Sequence, residues 1–177
     1  DGWSKPSFLK DGKDWFDVII TNGSEQLQSQ MQEPLKIMQC FSFVYIKKLS
    51  ETVTVYDLGQ NFSGIPSISV SGSKYDTVKI YCGELLNTDG TINQKATGSP
   101  SYFTYILKGD GEESWQPRFT YTGFRYMQVY CIPKDSGGVL PMLKNIEGLH
   151  IRNAASTIGS FTSSNELFNK TNTLIDW

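Results

Sequence analysis

Apolar and polar positions alternate with period two along most of the chain, the signature of half-buried β-strands. In Thr52-Val53-Thr54-Val55-Tyr56, Val53 and Val55 fall on one side. Ile68 and Val70 do the same with serines between them. The alternation predicts strands at 15–20, 41–49, 52–58, 67–71, 77–82, 102–108, 114–119, 124–132, 146–152 and 158–161. Turn-forming residues separate them: Asn22-Gly23, Gly59, Gly64, Gly72, Asp89-Gly90, Gly109 with Gly111, and Gly137-Gly138. Around ten short strands with turn chemistry between them predict an all-β fold, an antiparallel β-sandwich or jelly roll. Two sheets face to face would bury the alternate apolar residues. No internal repeat or low-complexity tract interrupts the pattern.

The period changes near the end. Ser163-Ser164-Asn165-Glu166 supplies N-cap residues, and Leu167, Phe168, Thr171, Leu174 and Ile175 follow at helical spacing. This predicts a short C-terminal α-helix whose apolar stripe begins a helical domain missing from the sequence. The expected organisation is 1–35 as the tail of an upstream module or a linker, 36–162 as the sandwich, and 163–177 as the start of that helical domain. The main domain is expected to start at Glu33-Pro34-Leu35. A chain running from Asp1-Gly2-Trp3 to Leu174-Ile175-Asp176-Trp177 is expected to be an excised fragment, with any export signal upstream.

Composition narrows the function classes. The 177 residues are 38% hydrophobic, 13% aromatic and 19% charged, with a net charge of -2, the balance of a folded domain. Lys47-Lys48 is the only adjacent basic pair, so the clustered cations that bind a phosphate backbone are absent and nucleic acid is not expected. No apolar run approaches the roughly 20 residues of a membrane helix. Cys40, Cys82 and Cys131 are widely spaced, with no Cys-x-x-Cys and a single histidine, His150. A zinc site is not expected; one disulfide stays open, and buried free thiols are favoured.

Three stretches could carry chemistry. In Asp57-Leu58-Gly59-Gln60-Asn61-Phe62-Ser63-Gly64, Asp57 is a possible catalytic carboxylate. Gly59 and Gly64 instead suggest a strand-to-loop transition in which the Gln60 and Asn61 amides satisfy loop backbone. In the second, Asn87, Asp89 and Gly90 look like part of a calcium loop but lack its later ligands, so an Asp-Gly turn at the sheet edge is favoured. Glu84, just past an apolar strand, is expected half buried beside a cation, with a sugar contact, a general acid and simple solvation as alternatives. The third, Pro117 to Tyr126, interleaves Arg118 and Arg125 with aromatics. A stacking platform is possible, but alternation favours a core framework with Phe119, Tyr121, Phe124 and Tyr126 flanking a turn at Gly123. Arg125 is expected to pair with Asp57 or Glu84. No nucleophile elbow, phosphate loop or dinucleotide fingerprint occurs, so no catalytic residue, cofactor or metal is assigned.

These motifs, in order, resemble the β-sandwich domain that precedes the catalytic domain of bacterial α-L-rhamnosidases. The matching pieces are Asp57-Leu58-Gly59-Gln60-Asn61 with Ser63-Gly64, Gly83-Glu84-Leu85-Leu86 with Asp89-Gly90-Thr91, and Tyr102-Phe103-Thr104-Tyr105-Ile106-Leu107-Lys108-Gly109. Trp115-Gln116-Pro117-Arg118-Phe119 with Tyr121-Thr122-Gly123-Phe124-Arg125-Tyr126 follows, and Ile158-Gly159-Ser160-Phe161-Thr162-Ser163-Ser164-Asn165 closes the series. The resemblance covers roughly residues 53–177. It implies framework roles for Asp57, Gly59, Gln60, Asn61, Gly64, Glu84, Asp89, Gly90, Arg118, Tyr121, Gly123, Arg125 and Tyr126. It also implies a catalytic α/α toroid that cleaves terminal α-L-rhamnosides with inversion, using an acidic pair that matches no position here. One departure is that Ser99-Pro100-Ser101 stands where family members often carry an acid.

The resemblance therefore implies a non-catalytic accessory domain bracing a helical catalytic domain in cis. The parent would meet rhamnose-containing carbohydrate, in the periplasm or secreted. Alternatives are a stand-alone carbohydrate-binding module, with Trp3, Trp15 and Trp115 as obvious contacts, and an adhesion or interaction sandwich.

Overall fold

A computed structural model describes residues 16–23, 26–97 and 100–176. The chain divides into two compact units, Asp1–Gln32 and Glu33–Trp177. In the first, the described residues form neither helix nor strand. The strand expected at 15–20 is therefore not formed over 16–20, and Trp15 lies outside the described residues, as does Trp3. Alternation alone does not make a strand; a ladder partner is also needed.

The second unit is a curled antiparallel β-sandwich with one C-terminal helix. Its strands are β1 (Leu35–Ser42), β2 (Tyr45–Lys48), β3 (Val53–Ser71), β4 (Thr77–Gly83), β5 (Leu85–Leu86), β6 (Ile92–Asn93), β7 (Tyr102–Ile106), β8 (Glu112–Trp115), β9 (Thr122–Ile132) and β10 (Met142–Asn153), followed by α1 (Glu166–Ile175). The 19-residue β3 organises the whole. Its first part, 53–57, lies between β2 and β9, and β4 and β7 continue that leaf. Its last part, 64–71, pairs with β10, which carries β1 on its far side, and 68–71 also pairs with β8.

This corrects the expectation of separate strands at 52–58 and 67–71. Residues 58–61 stand between the positions paired with Tyr126 and Phe124, so they form a bulge opposite Arg125 alone. A bulge bends a strand and increases its twist without ending it. Gly59 takes φ +79° inside the bulge, where a side chain would be strained. Gly64 sits where a Cβ would run into the backbone carbonyl of Leu149, so its small size lets β10 approach.

Between the leaves lie Val78, Ile80 and Cys82 of β4, Met127 and Val129 of β9, Ile68 and Val70 of β3, and Ile146 of β10. Leu58, Phe62, Leu107 and Phe124 complete the buried cluster. Each such aliphatic or aromatic side chain contributes roughly 1.5–3 kcal/mol when fully buried.

Other boundaries moved for physical reasons. β1 begins at Leu35, where it finds Asn153 as partner, and the 41–49 run is interrupted before β2. The run at 114–119 ends at Trp115 because Pro117 has no N–H to donate to a ladder. Gly123 lies inside β9, so no hairpin turn forms there. Residues 158–161 form no strand. Of the three free thiols, Cys82 is buried, Cys131 is half-buried and Cys40 is exposed, so the expectation of burial fails at Cys40, which stands on edge strand β1.

Candidate functional site

The sequence motifs converge on the β3 bulge. Arg125, the only β9 residue facing it, donates from Nε to Asp57 Oδ1 at 2.7 Å and from Nη2 to Oδ2 at 2.8 Å. This bidentate fork is the strong form of the carboxylate–guanidinium contact. Asp57 Oδ1 also accepts the Gly59 N–H at 2.7 Å, which closes the bulge on itself. The hydrogen bonds from Arg125 hold the Asp57 carboxyl below its ordinary value, with the Gly59 amide assisting and partial burial opposing. Arg125 also lies 5.0 Å from the centroid of the Tyr126 ring.

Of the two acids weighed for Arg125, Asp57 takes it. Glu84 differs from expectation: it is exposed, and its Oε1 accepts from the Asn61 Nδ2 at 3.1 Å. The chain leaves the sheet after the buried Gly83, which turns Glu84 outward. Asn61 therefore spends its amide on a side chain, while Gln60 donates to the Asn61 carbonyl at 3.0 Å. Gly123 lies beside the Glu84 carboxylate.

Asp89-Gly90 forms the turn joining β5 to β6. Asp89 Oδ1 accepts from the Thr91 N–H at 2.8 Å and from its hydroxyl at 2.6 Å. These bonds hold the Asp89 carboxyl below its ordinary value. Lys47 donates to the Asp89 carbonyl at 2.9 Å, and Gly90 is buried. The Asp-Gly turn expected from the sequence is thus formed, and the Lys47 bond ties it to β2.

Arg118 and Tyr121 also correct the sequence reading. Both are exposed, and Phe119 between them is fully exposed with φ 61°, a left-handed conformation costly for a bulky residue. The segment after β8 is a surface loop, not a core framework. Trp115 behind it stacks on Tyr105 with centroids 5.4 Å apart. A hollow of about 710 Å³ lies between Ser67, Phe103, Trp115, Pro117, Arg118 and Thr120. A second, of about 440 Å³, has Glu84, Asn93, Lys95, Thr97 and Thr122 around it.

Two structural acids gave no sequence signal beyond standing near turns. Glu113, 8% exposed, accepts from the Tyr105 hydroxyl at 2.6 Å and from the Lys108 and Gly109 amides at 3.0 and 2.9 Å. Burial pushes its pKa up, but these donors outweigh burial and hold the carboxyl below its ordinary value. Asp76, 2% exposed, accepts from the Ser73 and Lys134 amides at 2.7 and 2.8 Å, tying the β3–β4 turn to the segment after β9. His150 is buried on β10, with Nδ1 3.0 Å from the Ser63 carbonyl and its ring edge-on to Phe62. Among the described residues, no group of three or more His, Cys, Asp or Glu side chains could hold a metal ion.

Comparison with known proteins places this geometry. Residues 47–152 match the family described as the bacterial alpha-L-rhamnosidase concanavalin-like domain. An α-L-rhamnosidase of Streptomyces avermitilis is 32% identical over 99% of this chain, and one of Formosa agariphila is 28% identical over 86%. The solved α-L-rhamnosidase of Dictyoglumus thermophilum superposes with a TM-score of 0.79 at 34% identity, covering 99% of this chain. The Streptomyces avermitilis enzyme, solved in complex with L-rhamnose, gives 0.77 at 32% identity over the same share. The chain spans only 17% of the Streptomyces avermitilis relative and 20% of the Dictyoglumus thermophilum structure. Sequence match and superposition agree, and the chain belongs to the bacterial α-L-rhamnosidase concanavalin-like domain family.

Proposed function

We propose that the chain is a non-catalytic β-sandwich accessory domain of an α-L-rhamnosidase, and that it braces a helical catalytic domain in cis. Residues 36–162 would form the brace, 1–35 a linker or upstream tail, and 163–177 the first helix of the catalytic part. Inverting cleavage of terminal α-L-rhamnosides belongs, on this reading, to that other domain. Such a reaction needs two carboxyl groups roughly 6.5–9.5 Å apart, one protonating the leaving oxygen and one activating water.

The observation that carries the reading is the fate of the acids. Among the described residues, Asp57, Asp76 and Glu113, three of the acids withdrawn from solvent, are each saturated by a guanidinium, a hydroxyl or backbone amides. A carboxylate whose lone pairs are committed to the framework is a poor proton donor and a poor base, because releasing it costs those bonds. Glu84, an exposed acid of the motifs, has an amide beside it and no second carboxylate among its hydrogen-bond partners.

The test is to incubate the purified chain with an aryl α-L-rhamnoside. Aglycone release at the rate of buffer alone is expected. Enzymatic turnover that disappears in Glu84→Gln would place chemistry in this domain and end the bracing reading.

A further inference from the structure

On the outer face of the β7–β4–β9 leaf, three tyrosines form a continuous surface. Tyr81 is paired in register with Tyr102 on one side and Gln128 on the other, and Lys79 with Tyr130. The Tyr81 ring lies 5.2 Å from Tyr102 and 5.5 Å from Tyr130, centroid to centroid. The Lys79 ammonium stands 3.5 Å from the Tyr102 centroid, which fixes that ring. The segment holding β5 and β6 lies alongside, and a cleft of about 390 Å³ separates it from Tyr81 and Tyr130.

Both walls of this cleft are preorganised. The buried Gln128 accepts the Ile92 N–H at 2.8 Å and donates to the Tyr130 hydroxyl at 2.6 Å. Gln94 donates to the Cys82 and Ser101 carbonyls at 2.8 and 2.7 Å and accepts the Ser101 N–H at 3.1 Å. A tyrosine hydroxyl that accepts a bond keeps its own proton to donate, and each glutamine carbonyl retains a second lone pair. Among the described residues, the lining of the cleft holds no carboxylate, amine or imidazole, and the nearby Lys79 ammonium stands 5.3 Å from the Tyr81 centroid.

We propose that this cleft binds one pyranose residue of a neutral saccharide, its C–H face against Tyr81 and Tyr130 and its hydroxyls meeting the Tyr130 O–H and the Gln94 and Gln128 carbonyls. Aromatic faces with a few fixed, uncharged polar groups suit a neutral polyhydroxylated ring. The rigid walls spare the ligand the cost of ordering them. The site is separate from the bracing role. Turnover by the chain would end the bracing reading and leave this one standing, whereas absence of sugar binding does the reverse.

The test is a two-dimensional amide NMR titration of the chain with L-rhamnose, D-glucose and D-galactose, and with a proline-rich peptide as rival ligand. Saturable shifts at Ile92, Gln94 and Tyr130 are expected for at least one sugar, with Kd about 1–10 mM, the range for so small a ligand. Tyr81→Leu should weaken binding about tenfold by removing a stacking face. Tyr130→Phe, which keeps the ring and removes the hydroxyl that Gln128 donates to, should weaken it several-fold. Tyr45→Ala, on β2, should leave it unchanged. The proposal is overturned by no shift at about 100 mM of any of the sugars. It is equally overturned by shifts centred on the Trp115 hollow, by saturation with the peptide alone, or by unaltered affinity in both tyrosine variants.

Discussion

Asp57 serves two partners at once, and its behaviour with pH follows from both. Arg125 and the Gly59 amide bind the ionised carboxylate, so its pKa in the folded chain lies below the ordinary 3.8. A lowered folded-state pKa contributes stability that is fully present above the unfolded value and is lost as pH falls through the folded one. Glu113 acts with the same sign, starting from an ordinary 4.5. The wild-type chain should therefore lose stability on acidification below about pH 4.5. Asp57→Asn removes the charge at all pH values and should cost about 2 kcal/mol at pH 7, below the figure for a fully buried pair because the Arg125 side chain is 38% exposed. At pH 3 the gap between variant and wild type should narrow. Urea unfolding followed by aromatic fluorescence at pH 7, 5, 4 and 3 measures both curves, and a constant gap would show that the pair carries no net ionic stabilisation.

At the scale of elements, β3 separates what could be read in the sequence from what could not. β4, β7 and β9 were located within a few residues because each alternates against the same buried core, and the pattern records burial directly. Gly59 and Gly64 were misread as breakers because a bulge and a loop use the same residue, and only the partner strands decide between them. Pairing of Arg125 was readable from its place among aromatics, with Asp57 one of two acids considered. Glu113 and Asp76 were not readable, since an acid beside a turn looks solvated until the amides aimed at it are seen. The bulge account makes a specific claim about Gly64: its smallness, not its flexibility, admits β10. Gly64→Ala places a Cβ against the Leu149 carbonyl, where backbone must shift, so a loss of about 3 kcal/mol or more is expected. Gly159→Ala, which meets nothing within 4 Å, should stay within about 0.5 kcal/mol. Thermal unfolding of the two variants side by side decides it; equal midpoints would mean that β3 and β10 can separate without penalty.

For the whole molecule, the open question is what a sandwich does with an apolar helix beside it. α1 is started by Asn165, whose side chain accepts the Leu167 N–H, and its first turn is pinned by reciprocal bonds between Ser163 and Asn169. Ten residues is short for a helix to persist on propensity alone, so tertiary cover would normally supply the rest. Leu167, Phe168, Leu174 and Ile175 are 66%, 55%, 72% and 77% exposed, and their spacing puts them along one side. Exposed stripes of this kind seek a partner. If the helix opens a catalytic domain, as proposed, the chain alone offers that stripe to its own copies. Sedimentation velocity should then show a weight-average coefficient rising with concentration up to about 500 µM. Leu167→Ser combined with Leu174→Ser should abolish the rise while leaving the sandwich's unfolding midpoint in place. A wild-type chain that stays monomeric across the range would mean the stripe is not adhesive by itself. The brace would then have to hold its partner through the sandwich, for which the exposed Phe119 loop is the next surface to mutate.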